Sequence, residues 1–149
     1  MLATSIFSLV ALQLAAAASI PRADSAITSN TNNAASIFKR FRLNCDTNDF
    51  TAIAEDASRA IDFLRSIGSR PCVVPQGNGQ EIEFKRFGTA IIKGHNVCVD
   101  RQSSSCNDVA RGAGQIMDKC TRFDGVHNRV TGVNAAWGNG CLVVIIQGL

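Results

Sequence analysis

Apolar residues between positions 50 and 67 recur every three or four residues, which is the spacing of an amphipathic helix. Charged residues lie between them, so this helix is expected to have one buried face and one solvated face. Asn48 or Asp49 is available as its N-cap, and Gly68 is placed to end it. The apolar positions are Phe50, Ile53, Ala54, Ala57, Ile61, Leu64 and Ile67.

A second helical stripe joins Cys106 to Cys120 and follows a run of serines. Ser105 and Asp108 form a Ser-x-x-Asp cap at its start. At about 1.5 Å per residue, the Cα atoms of the two cysteines are expected about 21 Å apart, whereas a disulfide needs Cα atoms within about 7 Å. Cys106 and Cys120 therefore cannot pair with each other.

The remaining segments carry strand patterns. Residues 81–86 alternate between polar and apolar, and residues 88–92 and 97–99 are β-branched runs between turn residues. A hairpin is predicted to join residues 130–137 to residues 141–146 through Gly138-Asn139-Gly140, whose glycines supply positive φ angles. The last run is apolar on both faces and predicts a central strand. The sequence thus predicts an α+β fold, with two helices packed on one face of an antiparallel sheet.

The first forty residues have the pattern of a precursor leader. Residues 2–18 are almost wholly apolar and end in four alanines, which predicts a signal peptide over residues 1–18 rather than a membrane anchor. Residues 19–40 are rich in Ser, Thr, Asn and Ala and predict a disordered propeptide. This segment ends at Lys39-Arg40, which looks like the dibasic site of kexin-type processing proteases. The alternative is a flexible mature tail with a chance Lys-Arg pair.

Removal of the leader changes the charge and the size of the domain. The chain has 149 residues, 15 basic and 12 acidic, with a formal charge of +3. Residues 41–149 keep 12 basic and 11 acidic residues, so the mature charge is +1 and a nucleic-acid partner is not expected. No apolar run of membrane-spanning length occurs outside the N-terminus, which excludes a multi-span membrane protein.

All six cysteines lie in the predicted mature domain. An even number in a small secreted domain indicates a disulfide framework, because a core of this size is marginal without covalent help. Each helical cysteine is expected to join its helix to a strand or to the segments around the first two cysteines. The six are Cys45, Cys72, Cys98, Cys106, Cys120 and Cys141.

Candidate chemistry is sparse and centres on the two histidines, His95 and His127. A small secreted ribonuclease could use them as general base and acid, with Lys93 or Arg129 holding the phosphate. The competing interpretation is that both are exposed loop histidines. His95 also forms a His-x-x-Cys pair with Cys98, but in an oxidising compartment that cysteine belongs in a disulfide, so no metal and no cofactor are expected.

Two further features leave alternatives open. The tetrapeptide Phe-Lys-Arg-Phe at residues 38–41 recurs at residues 84–87, so Lys85-Arg86 is a second potential processing site. We expect it to be shielded, because a paired strand does not enter a protease cleft without local unfolding. Trp137 is the only tryptophan and lies beside the Gly-Asn-Gly turn. It is either an exposed binding anchor or part of the core.

The signal peptide, the dibasic leader and the six-cysteine domain together resemble the small secreted effector and toxin proteins of fungi. The segment from Gly88 to Cys98, the helix from Cys106 to Cys120 and the strand at Cys141 are similar in layout to the α/β-sandwich killer toxins of smut fungi and their effector relatives. The resemblance implies a secreted, extracellular monomer without enzymatic activity. Such a protein binds a protein or cell-surface target of another organism.

Overall fold

The computed structural model describes residues 43–45 and 51–149. The predicted signal peptide, the propeptide, the Lys39-Arg40 site and both N-cap candidates lie outside these residues. Within them the chain forms the following helices and strands in order: β1 Ala52–Ile53, α1 Ala54–Ile67, β2 Pro71–Val74, β3 Glu81–Phe87, β4 Ala90–Asn96, β5 Gln102–Ser105, α2 Cys106–Cys120, β6 Arg122–Phe123, β7 Asn128–Val130, β8 Gly132–Ala136 and β9 Asn139–Gly148.

The largest sheet in the described part of the chain is antiparallel and has the strand order β3-β4-β9-β8. β9 lies in its centre, as the two-sided apolar pattern predicted, and pairs with both β4 and β8. α1 packs against β3 and β4, α2 packs against β8 and β9, and the two helices contact each other. The prediction of an α+β fold with both helices on one face of an antiparallel sheet is therefore confirmed.

The core lies between the helices and the sheet. Burial of apolar side chains there provides most of the driving force for folding. Its largest fully buried apolar members are Leu64, Val74, Ile92, Val109, Ile116, Val130, Leu142, Val144 and Ile146. Two small sheets, β1-β7-β6 and β2-β5, flank this core.

α2 begins where the sequence predicted. Ser105 is its N-cap, and the side-chain oxygen accepts a hydrogen bond from the backbone N–H of Asp108 at 3.0 Å. α1 begins later than predicted, at Ala54, because Ala52 and Ile53 form a short strand paired with β7. The helix start at Phe50 and the N-caps at Asn48 or Asp49 were therefore wrong.

The segment at residues 97–99 was predicted as a strand but lies outside the strands. β4 ends at Asn96, whose buried side chain holds the following loop. Its Nδ2 donates to the carbonyl oxygens of Pro75 and Asp100, and its Oδ1 accepts from the N–H of Cys98. These local bonds compete with continued strand pairing and turn the chain away from the sheet.

Three disulfides join all six cysteines. Cys45 pairs with Cys120 and Cys72 with Cys106, with Cα atoms 5.1 and 5.0 Å apart. The third bond joins Cys98 to Cys141. Cys106 and Cys120 are the first and last residues of α2 and do not pair, which confirms the prediction from helix length. α2 is thereby held covalently at both ends.

Candidate functional site

Lys93 and His95 lie on the face of the four-stranded sheet opposite the helices, because they alternate with core residues along β4. The carboxylate of Glu81, on β3, lies between them. His95 Nδ1 is 3.1 Å from one Glu81 oxygen, and Lys93 Nζ is 3.6 Å from the other. All three side chains are partly or largely exposed, so this cluster is a surface ion-pair network rather than a water-excluded catalytic site.

His127 and Arg129 lie elsewhere, in the hairpin formed by β6 and β7. The hairpin is organised by Asp124, whose carboxylate accepts hydrogen bonds from the N–H of His127 at 2.7 Å and the N–H of Val126 at 2.8 Å. Arg129 Nε donates to the other oxygen at 2.7 Å. The His127 N–H and the Arg129 guanidinium hold the pKa of Asp124 well below its usual range.

The structure does not bring the four ribonuclease candidates together. His127 lines a shallow cleft of about 270 Å³ with Ile53, at the start of α1. The N–H of Ile53 donates to Thr89, just before β4 begins, whereas His95 lies near the other end of that strand. The six residue steps from Thr89 to His95 span about 20 Å at about 3.3 Å per residue. A general base and a general acid acting on one phosphate need to be far closer.

The second dibasic pair lies in β3, as predicted, and β3 pairs with β4. Lys85 Nζ is 3.9 Å from the centre of the Phe63 ring on α1. Arg86 forms an ion pair with Glu83 at 2.8 Å, which lowers the pKa of the carboxyl and raises that of the guanidinium. Both basic side chains are thus held by contacts within the fold.

Trp137 lies at the surface, with 54% of its area exposed. Its backbone N–H donates to the carbonyl of Asp108 at 3.1 Å, which joins the β8–β9 turn to the start of α2. Gly138 follows with φ of 78°, and the hairpin turns at Trp137 and Gly138. Asn139 and Gly140 already lie in β9, so the predicted three-residue Gly-Asn-Gly loop was wrong in its extent, and only Gly138 supplies a positive φ. The indole therefore lies at the surface and not in the core.

The indole borders a cleft of about 390 Å³ on the outer surface of the helical layer. We call it the Trp137 cleft. It is lined by Trp137, Arg65, Arg111, Gly114, Gln115 and Asp118. Both arginines lie in exposed ion pairs with aspartates of their own helix, at 3.4 and 3.6 Å. Exposed ion pairs of this kind contribute little to stability, so they hold the guanidinium groups only weakly.

Sequence reasoning identified Trp137 but missed the cleft around it. Arg111, Gln115 and Asp118 are spaced four and three residues apart and therefore lie on one face of α2, which the helical period predicts from the sequence. Arg65 comes from α1, and only the packing of the two helices brings it to this site. Gln115 is held in place because its Oε1 accepts from Asn134 Nδ2 at 2.6 Å.

Among the described residues, no group of three or more His, Cys, Asp or Glu side chains is placed to hold a metal ion. No helix in this part of the chain combines the length and the apolar character needed to cross a membrane.

Comparison with known proteins identifies a family for this chain. No curated protein and no solved structure matches the chain significantly. A family model described as "Domain of unknown function (DUF8794)" matches residues 40–148, which is most of the chain and includes all six cysteines. The chain therefore belongs to the DUF8794 family, a domain of unknown function.

Proposed function

We propose that this chain is a secreted effector or toxin-like protein, which acts on another cell by binding a partner and catalyses no reaction. The observation that carries the proposal is the exposed Trp137 at a cleft bordered by Arg65 and Arg111. Tryptophan and arginine are the residue types most enriched at binding hot spots, since both combine a large apolar area with a polar handle.

Three observations support secretion. Three disulfides persist in oxidising compartments and are rare in the cytosol. Residues 2–18 have the pattern of a signal peptide. The family match begins at Arg40, the second residue of the dibasic pair at which processing is expected.

The ribonuclease alternative is less well supported, because His95 and His127 lie in separate parts of the fold. Incubation of the mature protein with RNA tests it directly. We expect no cleavage. Cleavage that disappears in His95→Ala or His127→Ala would overturn the binding-only proposal.

The binding proposal is tested with labelled mature protein, residues 41–149, on a panel of intact fungal and plant cells. We expect saturable binding to at least one cell type. Trp137→Ala should weaken it by about thirtyfold or more, because a hot-spot truncation costs about 2 kcal/mol or more. Val99→Ala is the matched control, since Val99 is also an exposed apolar residue and does not line the cleft. Equal loss in both variants, or none in Trp137→Ala, would refute the role of the cleft.

Secretion and processing are tested by mass spectrometry of the protein recovered from culture medium. A chain that begins at Phe41 is the expected result. Retention in the cell-wall fraction would instead indicate a structural role at the surface.

A further inference from the structure

The β6–β7 hairpin carries two exposed apolar side chains at its tip, residues 123–127. Phe123 is 68% exposed and Val126 is 74% exposed, and both lie within four residues of each other. Between them, Gly125 has φ of 101°, and a Cβ built on it would meet no atom within 4 Å. Gly125 therefore projects into solvent, and Phe123 and Val126 lie on either side of it, where they also border the 270 Å³ cleft at the start of α1.

The tip is ordered by its own hydrogen bonds. The Asp124 carboxylate accepts from Val126 and His127, and the Asp124 N–H donates to the His127 carbonyl at 3.0 Å. Arg129, on β7, donates a hydrogen bond from Nε to the same carboxylate. A loop held in this way loses little conformational entropy when it docks, so the two apolar side chains are presented at low ordering cost.

The tip also lies in a basic segment of the domain. Residues 119–129 include Lys119, Arg122 and Arg129 but only one acidic residue, Asp124. Their formal charge of +2 exceeds the +1 of the whole domain from residue 41 onward. Arg129 already offsets Asp124 through the 2.7 Å ion pair. An anionic surface is the complement of this segment.

We propose that the hairpin tip docks reversibly on an anionic lipid bilayer, with Phe123 and Val126 entering the interface and the surrounding cations contacting headgroups. Two largely exposed apolar side chains at a hairpin tip can enter a deformable lipid interface. Apolar residues flanked by Lys and Arg are the composition that binds membrane surfaces. Two side chains give only weak attachment, so docking is reversible.

This surface is distinct from the Trp137 cleft. The hairpin follows the end of α2, whereas Trp137 bonds to Asp108 near its start. The lipid proposal therefore does not depend on the proposed protein partner, and each can fail alone.

The test is co-sedimentation of the mature protein with vesicles of phosphatidylcholine alone or with about a third phosphatidylglycerol. We expect binding only to the anionic vesicles, and a decrease as salt is raised. The double variant Phe123→Ser, Val126→Ser should lose about tenfold or more in partitioning. Lys119→Gln should reduce partitioning onto anionic vesicles by up to about fivefold, since one basic residue near an anionic surface contributes about this factor to binding. Val99→Ser, which changes a 71% exposed valine outside the tip, should bind like the wild type.

Insertion is checked with Val126→Trp in a Trp137→Phe background, so that the tip carries the only tryptophan. Its emission should shift to shorter wavelength on anionic vesicles. Absence of wild-type binding to anionic vesicles overturns the proposal, as does equal binding to neutral ones or an unchanged double variant. If the double variant loses cell binding while the wild type ignores vesicles, the tip contacts a protein and the lipid assignment is wrong.

Discussion

Two glycines in α2 make a matched pair for testing how closely the helix packs on the sheet. A Cβ built on Gly112 would lie 2.6 Å from the carbonyl oxygen of Ala135 and 3.3 Å from the Cα of Ala136, both backbone atoms of β8. A Cβ on Gly114 would meet only the guanidinium end of Arg65, at 3.5 Å. The contact at Gly112 is with backbone atoms and cannot be relieved by a rotamer change. The contact at Gly114 is with the end of a flexible side chain, which can move.

The intrinsic effect of Gly→Ala is the same at both sites, because both lie in the helix interior. It stabilises by about 0.5 to 1 kcal/mol, since the unfolded chain loses conformational freedom. At Gly112 the new methyl group also forces α2 away from β8, and overpacking of this kind costs about 1 to 3 kcal/mol. We therefore expect Gly114→Ala to be more stable than wild type and Gly112→Ala less stable, with a gap of about 2 kcal/mol.

The assay is thermal and urea unfolding followed by far-ultraviolet circular dichroism, with all disulfides intact. A difference of about 2 kcal/mol corresponds to about 10 °C in Tm for a domain of this size. Trp137 is exposed, so its fluorescence is a poor probe of unfolding. If Gly112→Ala is as stable as Gly114→Ala, the close approach of α2 to β8 described above is wrong.

Two further predictions concern pH and processing. Thr89 donates backbone and hydroxyl hydrogen bonds to Asp56 and lowers its pKa below 3.8, so the unfolded state takes up a proton first and stability falls as pH drops below about 4. Between pH 5 and pH 2.5 the urea midpoint should fall less in Asp56→Asn than in the wild type. An equal fall with pH in both proteins would contradict this. A kexin-type protease should cut the purified precursor after Arg40 but not after Arg86, because Lys85 and Arg86 are held in a paired strand. Fragments ending at Arg86 after reduction contradict this protection.

The parts of the fold that were predictable are those fixed by local periodicity. The start of α2 followed from Ser105 and Asp108, and the central position of β9 followed from its two apolar faces. The start of α1 was not predictable, because Ile53 belongs to the helical stripe but pairs, together with Ala52, with β7, far along the chain. Tertiary pairing overrode the local pattern.

The candidate site was predictable only in part for the same reason. Trp137 could be singled out from composition, but its exposure depends on the turn that Gly138 permits and on the bond to Asp108. The separation of His95 and His127 depends on which strands are neighbours. Neither histidine's local sequence contains that information.

The disulfides link the fold to both proposed surfaces. α2 is tied at its first residue to β2 through Cys72 and at its last residue to Cys45, so neither end can fray without breaking a covalent bond. The Trp137 cleft lies along α2, and the β6–β7 hairpin follows directly after the C-terminal end of α2. Fixing α2 therefore fixes both surfaces before a partner arrives, which lowers the ordering cost of binding. Reduction of the disulfides should weaken cell binding and vesicle binding together, whereas a substitution at either surface should affect only one.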